Sequence, residues 1–110
     1  MAIALAAATR AGDPHPSLIQ HVEGTRQRAN AVDSGDIVPG GQWSYLIAER
    51  GRFVFVGVAP SRTPDGGSVY GSVLTLVVNA RTGEVTDSGL SNRYPAMSKL
   101  GPVVTDQHIK

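Results

Sequence analysis

Side chains able to do chemistry are few in this 110-residue chain, and they are scattered. There is no cysteine, which excludes thiol catalysis, disulfides and cysteine-based zinc sites together. Of the three histidines, His15 and His21 lie near Asp13, so three oxygen or nitrogen donors could in principle meet a metal. Pro14 and Pro16 interrupt them and the spacing matches no standard ligand set, so capping and surface roles are expected and no metal is assigned. His108 belongs to the C-terminal stretch, where a free imidazole is the expectation. The serines form no Gly-x-Ser-x-Gly elbow. Asp65-Gly66-Gly67-Ser68 lacks the Gly-Lys-Ser/Thr ending of a phosphate cradle and reads as an exposed turn. Glu84 and Asp87 fall on opposite faces of one strand and form no carboxylate pair; Asp87 reads as a solvated edge residue that discourages strand addition. No catalytic residue and no cofactor are assigned, and the chain is not expected to be an enzyme.

The aromatic residues are the better candidates. Trp43 follows Gly40-Gly41-Gln42 at a strand start, where an indole serves either as a ligand platform or as a plug that closes the core. With Tyr45 and Tyr70 it makes the candidate ligand-binding or partner-binding set, and Asp36 could add an acid. Phe53 and Phe55 share a face at strand spacing and read as core or buried interface. Ten Lys plus Arg oppose nine Asp plus Glu in an interspersed pattern, and one Trp, two Phe and three Tyr form no basic-aromatic stripe, so nucleic acid is not an expected partner. The opening AIALAAATR lacks the basic residues of a signal peptide and is far below the roughly 20 residues that cross a bilayer, so neither anchor nor membrane insertion is expected. If Met1 stands where a precursor was trimmed, an export signal has already gone.

These residues must be positioned by an α+β domain, a single unit over 1–110 with a helical part at 1–33, a sheet at 43–90 and a C-terminal segment at 91–110. The alanine-rich residues 2–11 predict a short helix stopped by Gly12-Asp13-Pro14. Leu18, Val22, Thr25, Ala29 and Val32 recur at spacings of four and three behind a Ser17/Gln20 capping pattern, predicting a second helix over 17–32. Trp43 to Glu49 and Arg52 to Ala59 then flank Arg50-Gly51 as a hairpin, and Pro60 to Ser68 reads as a crossing loop. The strongest element is GSVLTLVVNARTGEVTDSGL at 71–90. Its apolar β-branched run meets Asn79-Ala80-Arg81-Thr82-Gly83, where Asn79 can bond the turn backbone and Gly83 can supply positive φ. Ala96 to Leu100 predicts one helical turn, and the last eight residues read as a tail. The expected architecture is therefore one or two N-terminal helices packed on a four-stranded antiparallel β-meander.

The strand-turn-strand SVLTLVVNARTGEV resembles the signature hairpin of PepSY-type domains, and helix 17–32 followed by YLIAERGRFVFVGV is similar in order to a cystatin-like helix-plus-meander. The resemblance implies an extracytoplasmic binding or inhibitory domain without catalytic residues; the long 60–68 loop and the C-terminal segment depart from it. More broadly the chain resembles small proteins of high-GC bacteria, a likeness that implies no activity.

Three readings follow: a non-enzymatic protein-binding or inhibitory module; a small-molecule pocket or small enzyme between helix and sheet using Trp43, Tyr45 and Tyr70; and a structural or assembly subunit. An apolar cleft with a buried carboxylate would favour the second. Strand 73–78 is apolar on both parities, so both sheet faces need cover. The opening helix, the C-terminal segment or a second copy could supply it, and a homodimer is the expectation. The turn itself is testable in denaturant. Gly83→Val should cost roughly 1–2 kcal/mol by forcing a β-branched residue to positive φ, whereas Arg81→Ala should cost little; equal stabilities would remove the turn assignment.

Overall fold

Strands that are apolar on both parities are stable only between two covering layers, and this chain builds both layers from its own ends and connections. The computed structural model describes residues 2–33, 40–55 and 69–108. They form α1 (Ala2–Arg10), β1 (Leu18–Thr25), α2 (Arg26–Asp33), β2 (Trp43–Phe55), β3 (Val69–Asn79), β4 (Val85–Ser91), a 3-10 turn (Met97–Lys99) and β5 (Val104–His108). The sheet has the order β4-β3-β2-β1-β5, every neighbour antiparallel. The α+β class and the antiparallel sheet are as the sequence predicts, with a fifth strand added. Asp36 and the 60–68 loop lie outside the described residues.

α1 covers one face. Its Ala4, Ala7 and Ala8, with Ala11 beyond it, are buried against Ile19, Ile47, Phe53, Leu74, Leu76 and Val78. Small methyls let the helix lie close to the sheet. It ends as expected at Gly12, whose φ of +93° allows the chain to reverse. The other face carries Val22, Leu46, Ala48 and Val77, covered by Ala29 of α2 and by Met97 and Leu100 of the C-terminal crossing segment. The face on which the homodimer expectation rested is thus buried within one chain.

The β3–β4 hairpin forms as predicted. Asn79 Oδ1 accepts the Arg81 and Thr82 N–H groups at 2.9 and 3.1 Å, and Gly83 sits at φ +76°.

Three expectations are corrected. Residues 18–25 are a strand: the spacing of four and three coincides with a pattern in which Ile19 and Val22 face opposite buried layers, and only Arg26–Asp33 is helical. The Thr25 hydroxyl accepts the Arg28 N–H and caps α2. Arg50-Gly51 is no turn. β2 runs through it with a register shift between Arg50 and Phe53, and Phe53 packs in the same buried cluster as Ile47. The C-terminal tail is the fifth strand from Val104 to His108, paired with β1. The predicted four-stranded meander is roughly kept, with β1 in place of the second half of β2 as its fourth strand and β5 added outside β1.

Gly24 separates the helical from the strand reading by sign. In a helix interior Gly→Ala stabilises by about 1 kcal/mol. In this strand a Cβ at 24 would stand 2.4 Å from Leu100 Cδ1 and 2.7 Å from its Cγ. Gly24→Ala should therefore destabilise by roughly 1–3 kcal/mol in urea unfolding, through overpacking at the crossing segment.

Candidate functional site

Glu49 occupies the middle of the central strand. Its register partners are Ile19 on β1 and Leu74 on β3, both in the layer beneath α1, and its side chain is 0% exposed. Neither carboxyl oxygen has a hydrogen-bond partner among the described residues. The helix overhead offers methyl groups, and methyls donate nothing. Burial pushes the Glu49 carboxyl up to about 8; Asp13 adds to this, and the positive amino terminus works against it. Leaving a polar group buried without a partner costs roughly 1–3 kcal/mol, more when it is charged. Such a residue is characteristic of a site rather than of a scaffold.

The surroundings of Glu49 are held in place by backbone bonds. Asp13 Oδ1 accepts the His15 N–H at 2.9 Å and its Oδ2 accepts the Arg52 N–H at 2.9 Å, tying the end of α1 to the β2 bulge. The carbonyl of Ala11 accepts the Val54 N–H at 2.8 Å. Gly51 is required here by close approach, since a Cβ would meet Asp13 Oδ2 at 2.5 Å.

Beside this anchor, α1 and the sheet leave a cleft of about 440 Å³. Its walls are Ala7 and Ala11, Val54 and Phe55, Leu74 and Leu76, and Val85, with Arg10 and Ser88 as its polar members. Leu74 belongs both to the cleft and to the register pair with Glu49, so the carboxyl is one cross-strand neighbour away from the cleft wall.

On the same face, His21 Nδ1 lies 2.6 Å from Asp106 Oδ2, and the Tyr45 ring meets the imidazole edge-on with centroids 5.5 Å apart. Asp106 comes from β5, the strand read from sequence as a tail. His21 therefore has a carboxylate partner distant in sequence. No group of three or more His, Asp or Glu side chains able to hold a metal occurs among the described residues.

The predicted aromatic set does not converge. Tyr45 packs on the α1-side core, whereas Trp43 and Tyr70 are 55% and 63% exposed. Tyr70 pairs with Val54, eleven residues along β2 from Trp43, which places the two rings' strand positions roughly 35 Å apart. Asp87 is not a free edge residue. Arg26 donates to both its oxygens, at 2.9 and 3.0 Å, and Asn30 adds a bond at 3.2 Å. The Arg26 bonds, opposed by burial and helped by Thr86 and Asn30, hold its carboxyl down at about 2. This pair clamps the start of α2 to the edge strand β4.

Glu49 itself was missed by sequence reasoning because it was placed at a hairpin end. Its shared parity with Ile47 inside YLIAE was the available signal. No family model matches the chain, and neither do any curated proteins or solved structures.

Glu49 makes stability depend on pH with a definite sign. The unfolded carboxyl releases its proton from about pH 4.5, while the folded one retains it to about 8, so the unfolded state binds fewer protons between those limits. Stability should fall as pH rises through that window and flatten above it, by an amount on the order of 2–4 kcal/mol. Glu49→Met should remove the loss and be the more stable protein at pH 8. The difference between the two urea-denaturation curves isolates Glu49 from other titrating groups; a difference independent of pH would show that Glu49 ionises normally in the folded state.

Proposed function

We propose that this chain is a small-molecule-binding domain and that the cleft between α1 and the sheet is its site. The observation that carries the reading is the cleft itself, about 440 Å³ with mainly aliphatic walls and polar groups at Arg10 and Ser88. That volume and lining fall in the range of sites that take small ligands. Its walls come from one helix and three strands tied together by the Asp13 and Ala11 bonds, so the site is largely preformed. Glu49 next to Leu74 supplies the buried polar group that such sites use for orientation. A binding domain is also what the PepSY-like hairpin implies.

A protein partner is the second reading, favoured by Trp43, 55% exposed where β2 begins. The two readings use different residues. Tyr45, Trp43 and Tyr70 would not form one ligand pocket, but Trp43 alone could anchor a docking surface.

The test is a thermal-shift screen of apolar and amphipathic small molecules. A ligand at 100 times its Kd stabilises the native state by about 2.7 kcal/mol, which moves the midpoint readily. Ser88→Trp places an indole at an exposed position of the cleft and should abolish the shift while leaving the unliganded midpoint within a few degrees of wild type. Trp43→Ala should leave it unchanged. Loss of the shift in Trp43→Ala but not in Ser88→Trp would move the site away from the cleft.

A further inference from the structure

We propose that Glu49 is the recognition group of this site and that the ligand is an apolar molecule bearing a primary amine, which reaches the carboxyl past Leu74. The inference rests on the cleft being the binding site. Its ground is the pair of oxygens on Glu49, a residue 0% exposed, which have no hydrogen-bond partner among the described residues and lie one cross-strand neighbour from an apolar cleft. Among the described residues, the elements packed around the carboxyl offer no free donor. α1 presents alanine methyls, and the register partners Ile19 and Leu74 are hydrocarbon. The Arg52 N–H is already given to Asp13. An ammonium brings three donors and a positive charge, enough to satisfy both oxygens at once. The aliphatic walls set the rest of the ligand's character.

The charged neighbours are compatible with this choice. Asp13, at the end of α1, attracts a cation. Arg10 lies at the cleft but is exposed, so solvent screens its repulsion. Along the same face the negative charge of Asp106 is engaged by His21. The amino-terminal charge lowers the Glu49 pKa, and an incoming ammonium acts in the same direction. Proton balance follows from these groups. Glu49 enters the complex as a carboxylate, so where it is protonated in the free protein, binding an ammonium releases one proton to solvent. Affinity should therefore rise by up to tenfold per pH unit until the free carboxyl is ionised, then level off.

The experiment compares octylamine, octanol and octanoate by titration calorimetry at about pH 6.5 and about pH 8, in buffers of different ionisation enthalpy. Octylamine should bind at least tenfold more tightly than the other two at the higher pH, and release about one proton per complex at the lower. Glu49→Met, expected to fold at least as stably as wild type, should lose the amine preference and the proton release while still binding octanol; Glu49→Gln should lose the proton release. Equal binding of octylamine and octanol by wild type, unchanged in Glu49→Met, would overturn the role of Glu49 and leave the cleft standing. Preference for octanoate would assign recognition to Arg10 instead and overturn the amine. Failure of all three to bind, together with no ligand effect of Ser88→Trp, would remove the cleft and this inference with it.

Discussion

The structure depends on one constraint: β2 is central, and nearly every side chain from Ser44 to Glu49 along it is buried. A strand covered on both faces needs two layers and two sheet neighbours, and 110 residues leave little chain for them. α1 fills one layer with methyl groups, which allow close approach without bulk. The second layer is divided between α2 and the crossing from β4 to β5. That crossing is anchored by Tyr94, whose hydroxyl donates to Gln20 at 2.7 Å and whose ring lies 4.3 Å from the Arg50 guanidinium carbon. Burial pushes the Tyr94 phenol up to about 12, so it remains a neutral donor throughout the physiological range.

Polar pairs occur where this layering meets the sheet edges. Arg26 with Asp87 holds β4 to α2, and His21 with Asp106 holds β5 to β1, each pair spanning elements far apart in sequence. Both are partly solvated, so their desolvation cost is modest and their geometry fixes register as much as it adds stability. Glu49 is the opposite case. It lies in the dry layer without a hydrogen-bond partner among the described residues, and its desolvation is opposed only in part, by the amino-terminal charge. The scaffold tolerates it because the apolar packing on both faces of β2 is extensive.

How much of this was legible in the sequence depended on whether a signal was local. The β3–β4 hairpin was legible because Asn79 and Gly83 encode its turn within five residues, and α1 because alanine and Gly12 define a helix and its stop. β1 was not. Leu18, Val22 and Thr25 fit a helical stripe, and only the sheet explains Gly24, whose missing side chain makes room for Leu100. The Arg50-Gly51 turn failed for a related reason: glycine there accommodates Asp13 from another element, and its φ is not positive. β5 carries a single apolar residue, the exposed Val104, and the bonds with Gln20, His21 and Pro16 that secure it cannot be read from five residues. The aromatic set failed because exposure, unlike hydrophobicity, is a property of the whole fold.

Glu49 and the thin helix above it are best understood together. A large side chain on α1 above this layer would crowd the sheet, whereas alanine lies close to it and leaves the Glu49 carboxyl buried but unsatisfied. The same smallness leaves the space between α1, β3 and β4 unfilled, which is the cleft. A helix rich in leucine would have closed that cleft and gained stability by burying more apolar surface. The alanine face therefore forgoes packing energy where the sheet holds Glu49 without a hydrogen-bond partner among the described residues, and the proposed ligand would both fill the volume and bond the carboxyl.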